Sequence, residues 1–227
     1  MLIKRWEKLP TDMQTEAVRP YYEILRKKTL TLIIKRLFDV VMSLVLIVVL
    51  SPVFLIVSLL VKLDSKGSVF YRQERITQYG KIFRIFKFRT MVQDSDKSGM
   101  LITTNSDIRI TKVGKALRKF RLDEIPQLLN IIVGDMTFVG TRPEVPKYVY
   151  YYTDEMKATL LLPAGVTSKA SIEYKDEEKI LKDVSDIDNV YLNRILPEKM
   201  RINQDSVRDF SFRKDIVLLV KTCIAVL

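Results

Sequence analysis

The stretch VVMSLVLIVVLSPVFLIVSLLV, residues 40–61, decides the fold, because it runs for 22 residues without a charge. As a helix it would be about 33 Å long, roughly the thickness of the hydrocarbon core of a bilayer. Ser51-Pro52 near its middle predicts a kink, since Pro52 has no N–H to donate and the Ser51 hydroxyl can satisfy a freed carbonyl. Two interpretations stay open: one helix that crosses the membrane, which hydropathy alone favours, and a re-entrant helical hairpin.

Basic residues flank this stretch on both sides, with Lys35 and Arg36 before it and Lys62 after it. The positive-inside rule therefore assigns no orientation, as expected if both ends of a hairpin return to the cytoplasm. Residues 1–34 are predicted to form an amphipathic N-terminal extension. No cleavable signal peptide is expected there, because no apolar stretch with a small-residue cleavage site lies near the first residue.

Two strands are predicted after the apolar stretch, at Val69–Ile76 and Ile82–Met91, with a turn around Gly80 between them. In the second strand, the period of two places four side chains on one face: Phe83, Ile85, Lys87 and Arg89. The pattern therefore indicates a short β-hairpin that carries two cations next to apolar side chains.

Helical spacing of apolar residues predicts a helix over Thr111–Phe120, and proline and glycine punctuation predicts another from Pro126 to Gly134. A last apolar helix over Ile216–Leu227 is too short to cross a bilayer and is suited to lying on it or packing on the core. The sequence thus predicts an α+β fold that is mostly helical, with a short β-hairpin and interfacial amphipathic helices.

The composition restricts the chemistry that this chain can perform. Histidine is absent and Cys223 is the only cysteine, so a Ser-His-Asp triad, a Cys-His pair and an intramolecular disulfide are all excluded. A bound metal would be a hard, oxygen-ligated ion such as Mg²⁺. The formal net charge of +11 indicates anionic partners: nucleic acid, lipid headgroups or phosphorylated substrates.

The densest basic region, residues 81–121, holds eleven Lys or Arg and three Asp. For most of these cations a solvated face resting on anionic lipid is the plainer interpretation. Asp123-Glu124 follows this region and directly precedes the second predicted helix, where the helix dipole and unpaired N–H groups would hold a carboxylate ionised. Arg118 precedes the pair by about one and a half helical turns. Several cations are therefore expected to converge on two carboxylates.

Five sequence motifs resemble those of the bacterial sugar transferases, the monotopic polyprenyl-phosphate phosphoglycosyl transferases. The motifs are KRLFDV (35–40), the apolar stretch with Ser51-Pro52, KFRTM (87–91), RLDEIPQLLN (121–130) and GDMTFVGTRPE (134–144). The resemblance covers residues 35–227 and leaves the N-terminal extension outside the shared region.

The resemblance implies a reaction with a covalent intermediate. Asp123 matches the nucleophile, which attacks the β-phosphate of a UDP-sugar and expels UMP. Undecaprenyl phosphate then attacks the phosphosugar–aspartyl intermediate, and the product initiates glycoconjugate or polysaccharide synthesis. Glu124 matches a second carboxylate that helps to bind Mg²⁺ or orients the site, so both carboxylates are candidate metal ligands.

The resemblance also implies the residues around the two carboxylates. Lys87 matches a catalytic cation near the pair, and Arg118 matches a cation near the phosphates of the substrate. Arg142 and Pro143 match a GPRP-type motif, and Arg89 is a further candidate for substrate binding.

In this family the membrane segment is re-entrant, and Ser51-Pro52 matches the break that turns it back. The implied organisation is an extension at 1–34, a re-entrant helix at 35–62 and a catalytic domain at 63–227. The implied location is the cytoplasmic face of the bacterial inner membrane. Membrane lipids, UDP-sugar and undecaprenyl phosphate are the expected partners, a homodimer is possible and nucleic acid is not expected.

Two departures from the family pattern keep other functions open. Thr141 stands where the family commonly has proline, and LPAGVTS (162–168) lacks the arginine of the usual Arg-Pro-Gly. A catalytically degenerate membrane adaptor in a polysaccharide assembly complex is therefore an alternative. Nucleic-acid binding is a weaker one, because no recognition-helix, zinc-finger or RRM signature is present.

Overall fold

The computed structural model describes residues 3–93, 108–181, 184 and 186–226. The longer helices are α1 Arg19–Lys27, α2 Thr29–Val49, α3 Ser51–Asp64, α4 Lys112–Lys119, α5 Gln127–Val133, α10 Leu196–Arg208 and α11 Phe212–Val226. Four short helices complete the set: α6 Pro146–Val149, α7 Lys169–Glu173, α8 Glu177–Leu181 and α9 Ile187–Val190. The strands are β1 Phe70–Ile76, β2 Ile82–Phe88, β3 Met136–Val139 and β4 Ala164–Thr167. The predicted α+β class, mostly helical, is confirmed.

The apolar stretch forms two helices rather than one, and the break lies at the predicted place. The α2 and α3 helices meet at Leu50 with a bend of 64°. Pro52 lies in the first turn of α3, where its missing N–H has no intrahelical partner to lose, and the Ser51 hydroxyl donates to the Val48 carbonyl at 2.8 Å. In the described part of the chain no single helix has the length and composition of a membrane span, whereas this bent pair has them together.

Both helices of the bent pair expose apolar side chains. The exposed set on α2 includes Leu37, Val41, Leu44, Val45, Val48 and Val49, and the set on α3 includes Leu55, Ile56, Leu59 and Leu60. A continuous apolar surface of this kind is unusual for a protein surrounded by water alone.

The N-terminal segment packs into the body of the protein. Tyr22 and Leu25 of α1 are buried in one cluster with Leu32 of α2, Val207 of α10 and Leu161. The helix α2 begins at Thr29, so the predicted boundary between residues 34 and 35 falls inside it. Burial of its apolar face against α10 therefore explains why this amphipathic segment is ordered.

The predicted hairpin is present, with β1 and β2 paired antiparallel from Phe70↔Phe88 to Ile76↔Ile82. Its turn uses a left-handed Gly80, as the sequence suggests. The second strand ends at Phe88, three residues before the predicted Met91, and Arg89 lies beyond it. Phe83 and Ile85 are buried as the period of two predicts.

The helices α4 and α5 also lie where the sequence predicts them. The Thr111 hydroxyl caps α4 by accepting from the Gly114 N–H at 3.0 Å, and α5 ends at Gly134, whose φ is 94°. The buried Asn130 fixes α5 to the edge of β2, since its amide accepts from Phe86 N–H at 2.8 Å and donates to the Arg84 carbonyl at 3.1 Å.

A parallel pair formed by β3 and β4 was not predicted from the sequence. Met136 pairs with Ala164 and Val139 pairs with Thr167. The altered segment 162–168 therefore supplies a strand. The last helix, α11, begins at Phe212, four residues earlier than predicted.

Polar residues of the KRLFDV motif fix α2 to the rest of the protein. Lys35 pairs with Asp215 of α11 at 2.7 Å, and the Asp39 carboxylate accepts from the Thr137 hydroxyl at 2.6 Å. Arg36 donates to the Ile131 and Ile132 carbonyls at the end of α5, at 2.6 and 2.9 Å. We call Lys35, Arg36, Asp39, Thr137 and Asp215 the anchor cluster.

Candidate active site

The Asp123-Glu124 pair lies in a single 3-10 turn, Leu122–Glu124, between α4 and α5. The turn is entered through Arg121, whose φ of 54° places a non-glycine residue in the left-handed region. Residues held in this region are enriched at functional sites, because the strain persists only where the surrounding structure imposes it. This turn therefore fixes where the two adjacent carboxylates project.

Glu124 is the centre of an ion cluster. Its Oε1 accepts from Lys87 Nζ at 2.8 Å and also from Arg142 Nη2, while its Oε2 accepts from Arg142 Nη1 at 3.2 Å. Burial raises the pKa of this carboxyl, but Arg142 and Lys87 outweigh burial and hold the pKa well below its usual range. The convergence of cations expected from the sequence is present. We call Lys87, Asp123, Glu124 and Arg142 the dyad cluster.

Asp123 has a different environment from its neighbour. Its residue is 7% exposed, and within the described residues no side chain or N–H group donates a hydrogen bond to its carboxylate. Burial raises its pKa, the Glu124 charge acts in the same direction, and Lys87, Arg118 and Arg142 oppose the rise. Burial is thus the largest influence on the pKa of Asp123, and ionisation of this group by the helix dipole stays a prediction.

The net pKa shifts of the two cations of the cluster have opposite signs. Burial lowers the pKa of Lys87, although Glu124 and Asp123 counteract it. The Glu124 charge raises the pKa of Arg142, against the effect of burial. Both groups are thus fixed donors that face the same carboxylate.

The other residues predicted to bind substrate are Arg118, Pro143 and Arg89, and their contacts differ. The Arg118 guanidinium donates to the Thr90 hydroxyl at 2.9 Å and acts electrostatically on Asp123. The Pro143 carbonyl accepts from Arg75 at 3.1 Å, next to Arg142. Arg89 instead donates to the carbonyls of Ser65 and Lys66, at 2.7 and 2.8 Å, at the C-terminal end of α3. A substrate contact by Arg89 stays a prediction.

The donors available for Mg²⁺ are fewer than the sequence suggests. Mg²⁺ commonly binds one or two carboxylates and completes its octahedron with substrate phosphates and water. Both oxygens of Glu124 accept from cations, whereas Asp123 accepts no hydrogen bond from the described residues, so Asp123 fits better as a metal ligand and Glu124 as a ligand stays a prediction. No group of three or more possible ligands occurs in the described part of the chain.

A cleft of about 860 Å³ opens beside the dyad cluster, and Glu124, Arg142 and Pro143 line it. Neither Asp123 nor Lys87 lines this cleft. A volume of this size is typical of a site for a small-molecule substrate. We call one side of the cleft the apolar wall, formed by Leu46, Leu50, Ile125, Phe138 and Val166. We call a second group of lining residues the polar end: Arg75, Glu144, Tyr148, Tyr191 and Lys199.

The polar end is a buried network that the sequence did not reveal. The Glu144 carboxylate accepts from the Tyr191 hydroxyl at 2.6 Å, and Lys199 Nζ lies 2.9 Å from Glu177 and 3.8 Å from Glu144. Its members are separated by up to 124 residues, from Arg75 to Lys199, so no local motif indicates them. Only the TRPE motif, which ends at Glu144, marks its position.

The family model described as bacterial sugar transferase matches residues 30–227 of the chain. The exopolysaccharide production protein ExoY of Sinorhizobium fredii is 36% identical to it over 207 residues, which are 85% of this chain and 84% of that protein. This similarity extends over nearly the whole of both chains.

Two of the relatives whose names state a reaction are longer proteins. The UDP-N-acetylgalactosamine-undecaprenyl-phosphate N-acetylgalactosaminephosphotransferase of Aeromonas hydrophila is 40% identical over 123 residues, which are 54% of this chain and 29% of that protein. The UDP-glucose:undecaprenyl-phosphate glucose-1-phosphate transferase of Klebsiella pneumoniae is 36% identical over 146 residues, 63% of this chain and 31% of that protein. The matched part is thus less than a third of each of these two relatives.

Proposed function

The chain belongs to the bacterial sugar transferase family, and we propose that it transfers a phosphosugar from a UDP-sugar to undecaprenyl phosphate and releases UMP. The observation that carries this proposal is the dyad cluster. A buried Asp123 that accepts no hydrogen bond from the described residues lies beside a Glu124 that holds Lys87 and Arg142 in place. The names of the relatives from Aeromonas hydrophila and Klebsiella pneumoniae support the same class of reaction.

The proposed first step uses Asp123 as the nucleophile. An Asp123 oxygen forms a bond to the β-phosphorus of the UDP-sugar, and the bond from that phosphorus to the oxygen bridging the two phosphates breaks. The bridging oxygen leaves on the α-phosphate, so UMP departs and the phosphosugar stays on the carboxylate. A carboxylate needs no histidine to activate it, which fits a chain without histidine.

The proposed second step regenerates the carboxylate. A phosphate oxygen of undecaprenyl phosphate attacks the same phosphorus and expels Asp123, which gives undecaprenyl diphosphate sugar. Asp123 enters the first step and leaves the second as a carboxylate, so neither step requires a proton donor at Asp123.

The cations lower the barrier to both steps. Three charges act on the Asp123 position, from Lys87, Arg118 and Arg142, and they would stabilise the negative charge of the phosphates in the transition state. Bound beside the diphosphate, Mg²⁺ would neutralise part of its charge, and Asp123 is the carboxylate that would hold it. Glu124 is a positioning residue in this scheme, since its two oxygens orient Lys87 and Arg142.

The same proposal includes how the protein sits on the membrane. The 64° bend at Leu50 and the exposed apolar side chains of α2 and α3 support a re-entrant segment. Insertion of that surface would place the cleft near the headgroups, where a soluble donor and a lipid acceptor can both reach it. The net charge of +11 favours the anionic cytoplasmic face of the bacterial inner membrane.

The test is UMP release by the purified protein in detergent with Mg²⁺ and a panel of UDP-sugars, first without acceptor and then with undecaprenyl phosphate. Wild type is expected to release up to about one UMP per enzyme without acceptor and to turn over with it. Asp123→Asn is expected to lose about 10³-fold or more of both activities, because an amide cannot form the acyl phosphate.

Asp135→Asn is the matched control, since Asp135 pairs with Lys81 at 2.9 Å outside the site and the substitution is chemically the same. It is expected to behave as wild type. Folded wild-type protein that releases no UMP from any donor would overturn the proposal in favour of the adaptor. Equal UMP release by Asp123→Asn would remove Asp123 as the nucleophile.

A further inference from the structure

The apolar wall of the cleft is a continuous surface. Leu46 and Leu50 come from the bend of the membrane helices, whereas Ile125, Phe138 and Val166 come from the catalytic part of the chain. All five pack around one buried cluster: Phe83, Ile85, Leu128, Ile131, Met136 and Ala164. Since they share this support, the five side chains form one wall from the bend into the body of the protein.

The wall reaches the dyad cluster at its inner end. Ile125 directly follows Glu124, and the Val166 carbonyl accepts from Arg142 Nη1 at 3.3 Å. At its outer end, Leu50 is preceded by Val48 and Val49, whose exposed fractions are 72% and 64%. An apolar path therefore connects the exposed surface of the bent helices with the cations of the site.

The other side of this path is formed by the C-terminal end of α11. Thr222, Cys223 and Ala225 line the cleft, and the Thr222 hydroxyl lies 2.9 Å from the Thr167 hydroxyl of β4. Three exposed apolar residues of α11 do not line the cleft: Val217, Val220 and Ile224. One side of α11 thus borders the cleft, while its exposed apolar side chains extend the surface that we place in the membrane.

The polar end and the apolar wall suit two different substrates. The polar end offers charged and hydroxyl groups, such as Arg75, Glu144 and Lys199, which match a nucleotide sugar. An isoprenoid chain makes no hydrogen bonds, so its burial is favourable only against the apolar wall. A phosphate attached to that chain would then lie at Arg142.

We propose that the passage between the α2–α3 bend and residues 222–225 of α11 holds the isoprenoid units next to the phosphate of the lipid acceptor. This inference rests on the proposed function, because that function supplies the lipid phosphate. It adds a route by which the acceptor enters sideways from the bilayer, and it assigns α11 as the wall of that route.

Cys223 is a natural reporter of this passage, because it is the only cysteine of the chain, is exposed and lines the cleft. The experiment measures the rate at which N-ethylmaleimide labels Cys223 in the Asp123→Asn protein, with and without a saturating polyprenyl monophosphate. Labelling is expected to slow about fivefold or more, because the chain covers the thiol. UDP-sugar and inorganic phosphate are expected to leave the rate within about twofold.

The matched control moves the thiol by one residue, in a Cys223→Ser, Ile224→Cys protein. Residue 224 does not line the cleft, so its labelling is expected to ignore the polyprenyl phosphate. Equal labelling of Cys223 with and without a lipid that is bound, as shown by equilibrium binding, would overturn the inference. Equal slowing at both positions would attribute the effect to the lipid environment instead and would overturn it as well.

A kinetic pair separates this inference from the proposed function. Ala225→Trp would narrow the passage and is expected to raise the acceptor KM about tenfold, comparable to leaving about two methylenes in water. Its effect is expected on the acceptor KM rather than on the UMP burst without acceptor. Ile224→Trp is the control, and its acceptor KM is expected to match wild type.

The outcomes of this pair are distinguishable. Absence of UMP release by wild type both without and with acceptor means that the proposed function fails, whereas turnover without a burst would replace the covalent intermediate by direct transfer. A normal burst with an unchanged acceptor KM in Ala225→Trp means that the function holds and the passage is wrong.

Discussion

The anchor cluster and the dyad cluster are both buried charge clusters, but they differ in the hydrogen bonds that Asp39 and Asp123 accept from the described residues. Lys35 and Asp215 lie 2.7 Å apart with side chains 3% and 15% exposed, and Lys87 and Glu124 lie 2.8 Å apart with side chains 20% and 10% exposed. The distances and the burial are thus similar. Burial of an ion pair therefore does not by itself distinguish a structural cluster from a candidate active site.

The difference lies in the hydrogen bonds that the carboxylates of the two clusters accept. At the anchor, Asp39 accepts from the Thr137 hydroxyl and from the Phe138 N–H, so both its oxygens are engaged. At the dyad, Glu124 is engaged in the same way, whereas Asp123 receives no hydrogen bond from the described residues. The dyad also borders a cleft. A buried carboxylate without a donor among the described residues, in a cluster that borders a cleft through Glu124 and Arg142, indicates chemistry, whereas a carboxylate with both oxygens engaged, like Asp39, indicates support.

The largest expected effect tests the anchor. Lys35→Met leaves Asp215 buried without its cation, which is expected to lower the free energy of unfolding by about 3–5 kcal/mol. For a chain of this size, thermal unfolding in detergent should show a drop in apparent Tm of about 10 °C. Turnover per folded molecule is expected to stay within about twofold of wild type, because Lys35 does not border the cleft.

The matched control is the double variant Lys35→Met, Asp215→Leu, which removes both charges. It should recover most of the lost stability, since apolar residues of similar volume commonly replace a buried ion pair without loss. Lost turnover with normal stability in Lys35→Met would contradict the assignment of the anchor as support.

The parts of the fold that were predicted from the sequence are those encoded by neighbouring residues. The break at Ser51-Pro52, the hairpin around Gly80 and the helix that follows Thr111 each depend on contacts within a few residues. The pairing of β3 with β4 was missed because each strand has only four residues and their partners are 28 residues apart. Such short strands carry too little period-two pattern to be recognised.

The site was predicted in part for a similar reason. The family resemblance implied that Lys87 lies near the carboxylates and that Arg142 binds substrate, and the structure brings both side chains to Glu124. The sequence could not reveal that Glu124 accepts from both cations while no group in the described part of the chain donates to Asp123, because the two residues are adjacent and chemically alike. Arg89 shares the predicted strand face with Lys87, but β2 ends before it and its guanidinium turns to the end of α3.

The next largest effect tests the dyad. Glu124→Gln weakens the orientation of Lys87 and Arg142, and turnover is expected to fall about 10²-fold, equivalent to about 2.7 kcal/mol. Steady-state UMP release with acceptor measures it. Glu74→Gln is the matched control, because Glu74 pairs with Arg84 at 3.2 Å on the surface, where such pairs contribute about 0–1 kcal/mol. Equal loss in both variants would show that the comparison between support and site is wrong.

A smaller effect is expected at Asn130 of α5, because this helix contacts both Arg36 of the anchor cluster and the strand that carries Lys87 of the dyad cluster. Asn130→Leu removes the acceptor of the Phe86 N–H and is expected to lower the free energy of unfolding by about 1–3 kcal/mol. Because Phe86 precedes Lys87, turnover per folded molecule should also fall, unlike in Lys35→Met. Chemical or thermal unfolding and UMP release on the same preparation measure both quantities. Loss of stability with full turnover would mean that Asn130 serves the fold alone.

The smallest expected effect separates the two carboxylates of the dyad by the sign of their influence on stability. Burial raises the pKa of Asp123 above the ordinary value of 3.8, so the native state binds this proton more tightly than the unfolded state does. As pH rises from 3.8 through the native pKa, ionisation therefore lowers stability. Asp123→Asn is accordingly expected to raise the Tm at pH 7, with a gain that disappears as pH falls toward 3.8.

Glu124 has the opposite sign, because Arg142 and Lys87 outweigh burial and hold its pKa well below the ordinary 4.5. Its ionised form stabilises the native state above pH 4.5, and that contribution is lost as pH falls toward the native pKa. Glu124→Gln should thus lower the Tm at pH 7, by an amount that shrinks in acid. Tm measured for wild type and both variants from pH 7 to pH 4 gives two differences of opposite sign if Asp123 is the unsupported carboxylate. Two differences of the same sign would mean that burial does not dominate the pKa of Asp123, and the contrast between the two carboxylates of the dyad would then fail.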